Sequence, residues 1–99
     1  MTKEEFRKLT EQTLILDGAT GSNLMASGMP RGICTETWVI DHKDIIQNLQ
    51  RAYIKAGSQV IYAPTFGGNR LNLEKHGLAD RIEEINRTLV GYSKELAGN

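Results

Sequence analysis

Leu14-Ile15-Leu16-Asp17-Gly18-Ala19-Thr20-Gly21 and Val60-Ile61-Tyr62-Ala63-Pro64-Thr65-Phe66-Gly67-Gly68-Asn69-Arg70 are the two stretches on which the reading of this chain turns. Each is an apolar run that stops abruptly at small, hydroxylated or acidic residues. That pattern is expected where a buried parallel strand carries a polar site at its carboxyl end. Leu14 to Leu16 are too few for a helix and are broken by Asp17-Gly18, so they read as a first strand. Val60 to Ala63 read as the second.

The intervening segments are read by their caps and periodicities. Thr2-Lys3-Glu4-Glu5 matches a capping box, and Phe6 and Leu9 share a face beyond it, so a short helix over about residues 3 to 11 opens the chain. Gly18 to Thr37 are rich in Gly, Ser, Thr and Asn and read as a long loop, with a single helical turn around Ser22 to Ala26. Asp41 is the expected N-cap of a helix whose apolar face is Ile45, Ile46, Leu49, Ala52, Tyr53 and Ala56. Gly57 ends it in a left-handed cap. Asn69 to His76 form a further short helix closed by Gly77. Asp80 then caps a last helix lined by Ile82, Ile85, Leu89, Tyr92 and Leu96.

A helix of about 14 residues between two apolar strands is the size of a βαβ crossover, which makes the strands parallel. The order is βαβα with a leading helix, an α/β class chain. Residues 1–99 read as one domain without linker or repeat, the N-terminal portion of a (β/α)8 barrel that needs about 250 residues to close.

Composition narrows the function. Twelve Lys and Arg balance twelve Asp and Glu, so no net charge draws the chain to nucleic acid or an anionic membrane. The single cysteine, Cys34, excludes an internal disulfide, and no apolar run approaches the roughly 20 residues that span a bilayer. With no signal-peptide core after Met1, the expected location is the cytoplasm. Gly18-Ala19-Thr20-Gly21 lacks the Lys-Ser/Thr of a phosphate-binding loop and the third glycine of a dinucleotide fingerprint.

In order and separation, Leu16-Asp17-Gly18-Ala19-Thr20-Gly21-Ser22-Asn23-Leu24, Cys34-Thr35-Glu36, the helix from Ile45 to Ala56, Ala56-Gly57-Ser58, Thr65-Phe66-Gly67-Gly68-Asn69-Arg70 and Leu73-Glu74-Lys75-His76-Gly77-Leu78 resemble the homocysteine S-methyltransferase family. The resemblance covers about residue 13 to the end and is nearer the cobalamin-linked branch than the betaine branch. It implies a barrel enzyme that makes methionine by moving a methyl group from a methylated corrinoid, held on another domain or protein, to the zinc-bound thiol of homocysteine. The family's zinc ligands are three cysteines on late strands. Cys34 matches none of them, so the resemblance places zinc and cobalamin outside this chain and assigns it no metal ligand and no catalytic residue.

Homocysteine offers an ammonium, a carboxylate and a thiol. Asp17 supplies an anion for the first, Gly18 and Ala19 supply unobstructed backbone N–H groups for the second, and Thr65 adds a hydroxyl at the end of the next strand, with Phe66 beside it. These five are the expected substrate contacts. Each has a plainer reading: Asp17-Gly18 as an ordinary turn, Thr65 and Phe66 as strand-end packing. Cys34 reads as an inert thiol and His42 and His76 as surface or capping residues, while Trp38 and Tyr62 fit either a pocket lining or, as buried aromatics usually do, the core.

Two other functions stay open. A truncated, non-catalytic piece would self-associate or complement another chain, since the second strand and the helix faces leave apolar surface uncovered. An independent nucleotide-binding module would be stabilised by its ligand.

Overall fold

In the computed structural model, which describes residues 1–97, the chain is built from helices. They are α1 (Lys3–Leu9), α2 (Gly21–Ala26), α3 (Thr35–Asp41), α4 (Lys43–Ala56), α5 (Arg70–Glu74), a 3-10 turn (Ala79–Arg81) and α6 (Ile82–Ala97). The expected capping box is present on α1: Glu5 N donates to Thr2 Oγ1 at 3.1 Å, and Thr2 N donates to Glu5 Oε2 at 3.2 Å. Gly57 ends α4 with φ 117°, a backbone conformation that favours glycine. Asn69 caps α5 by accepting from Asn72 N at 2.9 Å.

The expected βαβα portion of a barrel is not what forms. Among the described residues there is no strand and no sheet, only a single parallel bridge between Leu16 and Val60. That bridge consists of Val60 N donating to Ile15 O at 3.3 Å and Asp17 N donating to Val60 O at 3.0 Å. Ile15 O also accepts from Gln59 N at 2.7 Å, and side chains take the neighbouring backbone groups. Ile15 N donates to Gln59 Oε1 at 3.1 Å, Tyr62 N donates to Asp17 Oδ2 at 3.2 Å, and Tyr62 O accepts from Gln50 Nε2 at 3.0 Å. A parallel pair is marginal on its own, so side-chain partners compete well with further backbone pairing.

Two further expectations change. The long loop contains α3, and Asp41 is that helix's last residue; the N-cap position of α4 belongs to His42. Asp80 lies inside the 3-10 turn, whose cap is Leu78.

The core is Leu24, Cys34, Val39, Ile46, Leu73, Ile85 and Leu89, with Met29, Trp38, Ile45, Leu49, Leu78, Ile82 and Tyr92 packed around it. α6 packs against α3 and α4, and α2 touches α4. Ile85 and Leu89 come from the expected face of α6. On α4, however, the buried residues are Ile46, Gln47 and Gln50, while Ala52 and Ala56 are exposed.

Both buried glutamines are satisfied, as buried amides must be. Gln47 Nε2 donates to Tyr92 O at 3.0 Å and to Glu95 Oε2 at 2.8 Å. Gln50 joins Tyr62 O to the Ser93 hydroxyl, which donates to Gln50 Oε1 at 3.0 Å. The structure thus shows α4 meeting α6 along a partly polar seam that an apolar periodicity does not reveal.

Two measurements test this packing. Leu89 is fully buried and Val90 exposed, so Leu89→Ala should lose about 2–5 kcal/mol in urea unfolding while Val90→Ala stays within about 0.5 kcal/mol. Equal losses would contradict the orientation of α6. At the seam, hydrogen bonding from Gln47 and then Lys43 holds the Glu95 carboxyl below its ordinary value. Because folding lowers this pKa, the stabilisation is complete above the unfolded-state pKa and is lost as pH falls through the folded one. In an NMR pH titration Glu95 should titrate below the usual glutamate range, and Gln47→Ala should move it back up.

Candidate functional site

The Leu16–Val60 bridge sets the two motif segments side by side. Asp17 is half-buried at the end of the first, and its Oδ2 accepts from Tyr62 N in the second. The carboxylate therefore links the segments and keeps acceptor capacity beyond that one bond.

Gly18 lies under the Tyr53 ring, where an added Cβ would be 3.0 Å from the Tyr53 hydroxyl oxygen. Any side chain there would push the ring away. Tyr53 in turn donates its hydroxyl to Ala19 O at 2.8 Å, and Asn23 Nδ2 donates to the same carbonyl at 2.8 Å. With its carbonyl fixed in this way, the Gly18-Ala19 backbone is held while both residues remain exposed. Among the described residues neither N–H of this pair has a protein acceptor.

The second segment turns sharply after Pro64. Thr65 N donates to Ala63 O at 2.8 Å and Gly68 N donates to Thr65 O at 2.9 Å, two tight turns in succession. The Thr65 hydroxyl has no protein partner among the described residues. Phe66 is fully exposed and is not part of the core.

Between the segments opens a cleft of about 510 Å³ whose walls include Thr20, Ile33, Glu36, Tyr62, Ala63 and Phe66. Of the five expected contacts only Phe66 lines it directly. Asp17, Gly18 and Ala19 flank it immediately before Thr20 in the chain, and Thr65 lies between the wall residues Pro64 and Phe66. Tyr62, open between core and pocket wall in the sequence, is an exposed wall residue.

Three residues at this site had no role in the sequence reading. Glu36, 4% exposed, lies at the cleft and accepts from Gly67 N at 3.1 Å. Its signal is spacing: it stands three residues before the core residue Val39 and so shares its helix face. Tyr53 was read only as part of an apolar face, but its hydroxyl does the polar work described above. Asn72, one turn into α5, donates to Gly67 O at 2.8 Å.

His42 and Cys34 are otherwise engaged, whereas His76 is an exposed residue on the wall of the cleft. His42 stacks on Trp38 with ring centroids 3.8 Å apart, and its Nδ1–H donates to Trp38 O at 2.6 Å. Cys34 is buried, with Sγ 3.7 Å from Glu36 Oε1. Among the described residues no three His, Cys, Asp or Glu side chains gather in a way that fits a metal ion. The donor set of a zinc site is therefore not one these residues supply.

Comparison with known proteins agrees with the motifs. Methionine synthase of Mycobacterium tuberculosis is 28% identical over 95 residues, which are 90% of this chain and 8% of that protein. The Mycobacterium leprae methionine synthase gives the same identity and coverage. S-methylmethionine-homocysteine S-methyltransferase of Pongo abelii is 28% identical over 88 residues, 88% of this chain and 23% of that protein. The chain thus spans under a tenth of the length of the mycobacterial enzymes. Residues 14–99, including both motif segments and the cleft between them, match the homocysteine S-methyltransferase family, and the chain belongs to that family.

Proposed function

We propose that this chain supplies part of the amino-acid site of a homocysteine S-methyltransferase of the methionine-synthase type, in which a methylated corrinoid donates the methyl group. What supports this most is the bond from Tyr62 N to Asp17 Oδ2, which ties together the two segments carrying the substrate-contact residues. In this reading Asp17 faces the ammonium of homocysteine and the Gly18 and Ala19 N–H groups receive its carboxylate. The Thr65 hydroxyl adds a donor, and Phe66 covers the two methylenes. The role of these residues is to bind the amino acid and direct its thiol away from them, toward the methyl donor.

Zinc and the corrinoid belong, in this reading, to a longer polypeptide or a partner chain, and no step of the transfer is assigned to residues described here. Residues 1–99 act as one part of the homocysteine-binding domain. Among the described residues no helix is long and apolar enough to cross a membrane. A cytoplasmic setting suits a chain whose lone cysteine is buried and unpaired.

A second reading rests on a separate observation. Ile15, Leu16, Tyr62 and Phe66 are all exposed apolar residues on or beside the bridged segments. They favour a non-catalytic piece that self-associates or complements another chain through this surface.

Titrating the 15N-labelled chain with L-homocysteine tests the first reading. The amide signals of Gly18, Ala19 and Thr65 should shift. Asp17→Asn keeps an acceptor for Tyr62 N but loses the charge, so it should weaken binding by about tenfold or more. It should leave binding of 4-mercaptobutyrate, which lacks the ammonium, unchanged. Silent Gly18 and Ala19 signals, or an equal effect of Asp17→Asn on both compounds, would refute the assignment.

A further inference from the structure

Gly67 and Gly68 follow the exposed Phe66, and polar side chains from three helices hold their peptide groups. Glu36 of α3 accepts from Gly67 N at 3.1 Å, Asn72 of α5 donates to Gly67 O at 2.8 Å, and Asn86 of α6 donates to Gly68 O at 2.7 Å. Neither glycine has room for a side chain. A Cβ on Gly67 would sit 2.7 Å from both Asn72 Nδ2 and Glu36 Oε1, and one on Gly68 would sit 2.7 Å from Asn86 Oδ1.

Glu36 is the member of this clamp whose chemistry needs explaining. A carboxylate only 4% exposed is costly unless it is paired. Glu36 forms none of the ion pairs among the described residues. Its compensation is the Gly67 N–H, with the Cys34 thiol at 3.7 Å from the other oxygen. A charged acceptor makes that backbone bond stronger than a neutral one. Phe66, in contrast, has no packing of its own to hold it, so its place at the cleft is fixed through the backbone.

We propose that Glu36 is a positioning residue of the amino-acid site: by holding Gly67 N it fixes Thr65 and Phe66 at the cleft mouth. This rests on the homocysteine reading above and deepens it, because Glu36, although it lies in the cleft wall, then serves the site through the Gly67 backbone and not through its own charge on the ligand. Thr65 and Phe66 precede Gly67 directly, and the Gly68 N to Thr65 O bond closes the turn that carries them. Loss of the Gly67 anchor frees that turn while leaving Asp17, Gly18 and Ala19 in place.

The test uses L-homocysteine titrations of the 15N-labelled chain and its Glu36→Gln, Glu36→Ala and Asn72→Ala variants, together with ligand-free hydrogen exchange at the Gly67 amide. Glu36→Gln retains an oxygen acceptor and should bind within about threefold of the wild type. Glu36→Ala should bind about tenfold more weakly, with the Gly18 and Ala19 shifts on saturation preserved and the Gly67 amide exchanging faster. Asn72→Ala should act in the same direction and serves if Glu36→Ala does not fold.

Equal weakening by Glu36→Gln and Glu36→Ala would mean that the charge meets the ligand directly and would overturn the proposal. Wild-type binding by Glu36→Ala, or by Asn72→Ala with a loosened Gly67, would overturn it as well. If the wild-type chain itself does not bind homocysteine, the substrate reading fails and this role falls with it. Faster Gly67 exchange in Glu36→Ala would then show the clamp to be structural alone.

Discussion

Gln50 is the residue on which the arrangement of the chain depends. It is 2% exposed, donates to Tyr62 O, and accepts from the Ser93 hydroxyl. One side chain on α4 thereby fixes both the second motif segment and α6. A buried amide satisfied at both ends is strongly directional, because loss of either partner leaves a desolvated polar group behind. Leucine at this position would bury more apolar surface but would carry no information about where Tyr62 must lie. The polar seam therefore sets register where an apolar one would set only proximity.

The same substitution of side chain for backbone explains why the two apolar segments meet without becoming a sheet. A strand pair gains its stability from repeated rungs and from neighbours on both sides. Here Gln59, Asp17 and Gln50 satisfy the groups that the next rungs would use, and Pro64 has no N–H to offer beyond them. The functional consequence is direct. Asp17 spans the segments instead of projecting from one strand end, so the carboxylate that would meet an ammonium is also part of what holds the cleft walls together.

What was legible in the sequence follows from which interactions are local. Thr2 and Glu5 cap α1 over three residues, and Gly57 closes α4 through its own backbone conformation, so residue type and spacing suffice for both. The apolar runs at Leu14 and Val60 predict buried strands, yet the segments meet at a single parallel bridge and Ile15, Leu16 and Tyr62 stay exposed, because hydrophobicity shows what could be buried and neither what is nor how many rungs form. α3 was hidden because Cys34 gives it no side-chain cap, and Trp38, Val39 and Ile40 run consecutively without a helical period. Glu36 and Gln50 were hidden for a related reason. Charged and amide residues read as surface, and only long-range partners such as Gly67 and Tyr62 make their burial favourable.

Phe66 shows how the site divides its labour. A fully exposed aromatic is unfavourable in water and adds nothing to the fold. Yet the backbone on either side of it is closed by two tight turns and gripped by side chains from α3, α5 and α6. Ordering a loop costs conformational entropy at each residue, and that cost is met here by polar contacts to Gly67 and Gly68 in place of packing around the aromatic ring. Under the proposed reading, a fixed backbone beneath the uncovered ring would lower the ordering cost when a methylene chain replaces water against it. The glycines make this possible: only residues without Cβ let Glu36 and the two asparagines approach the peptide groups closely enough to hold them.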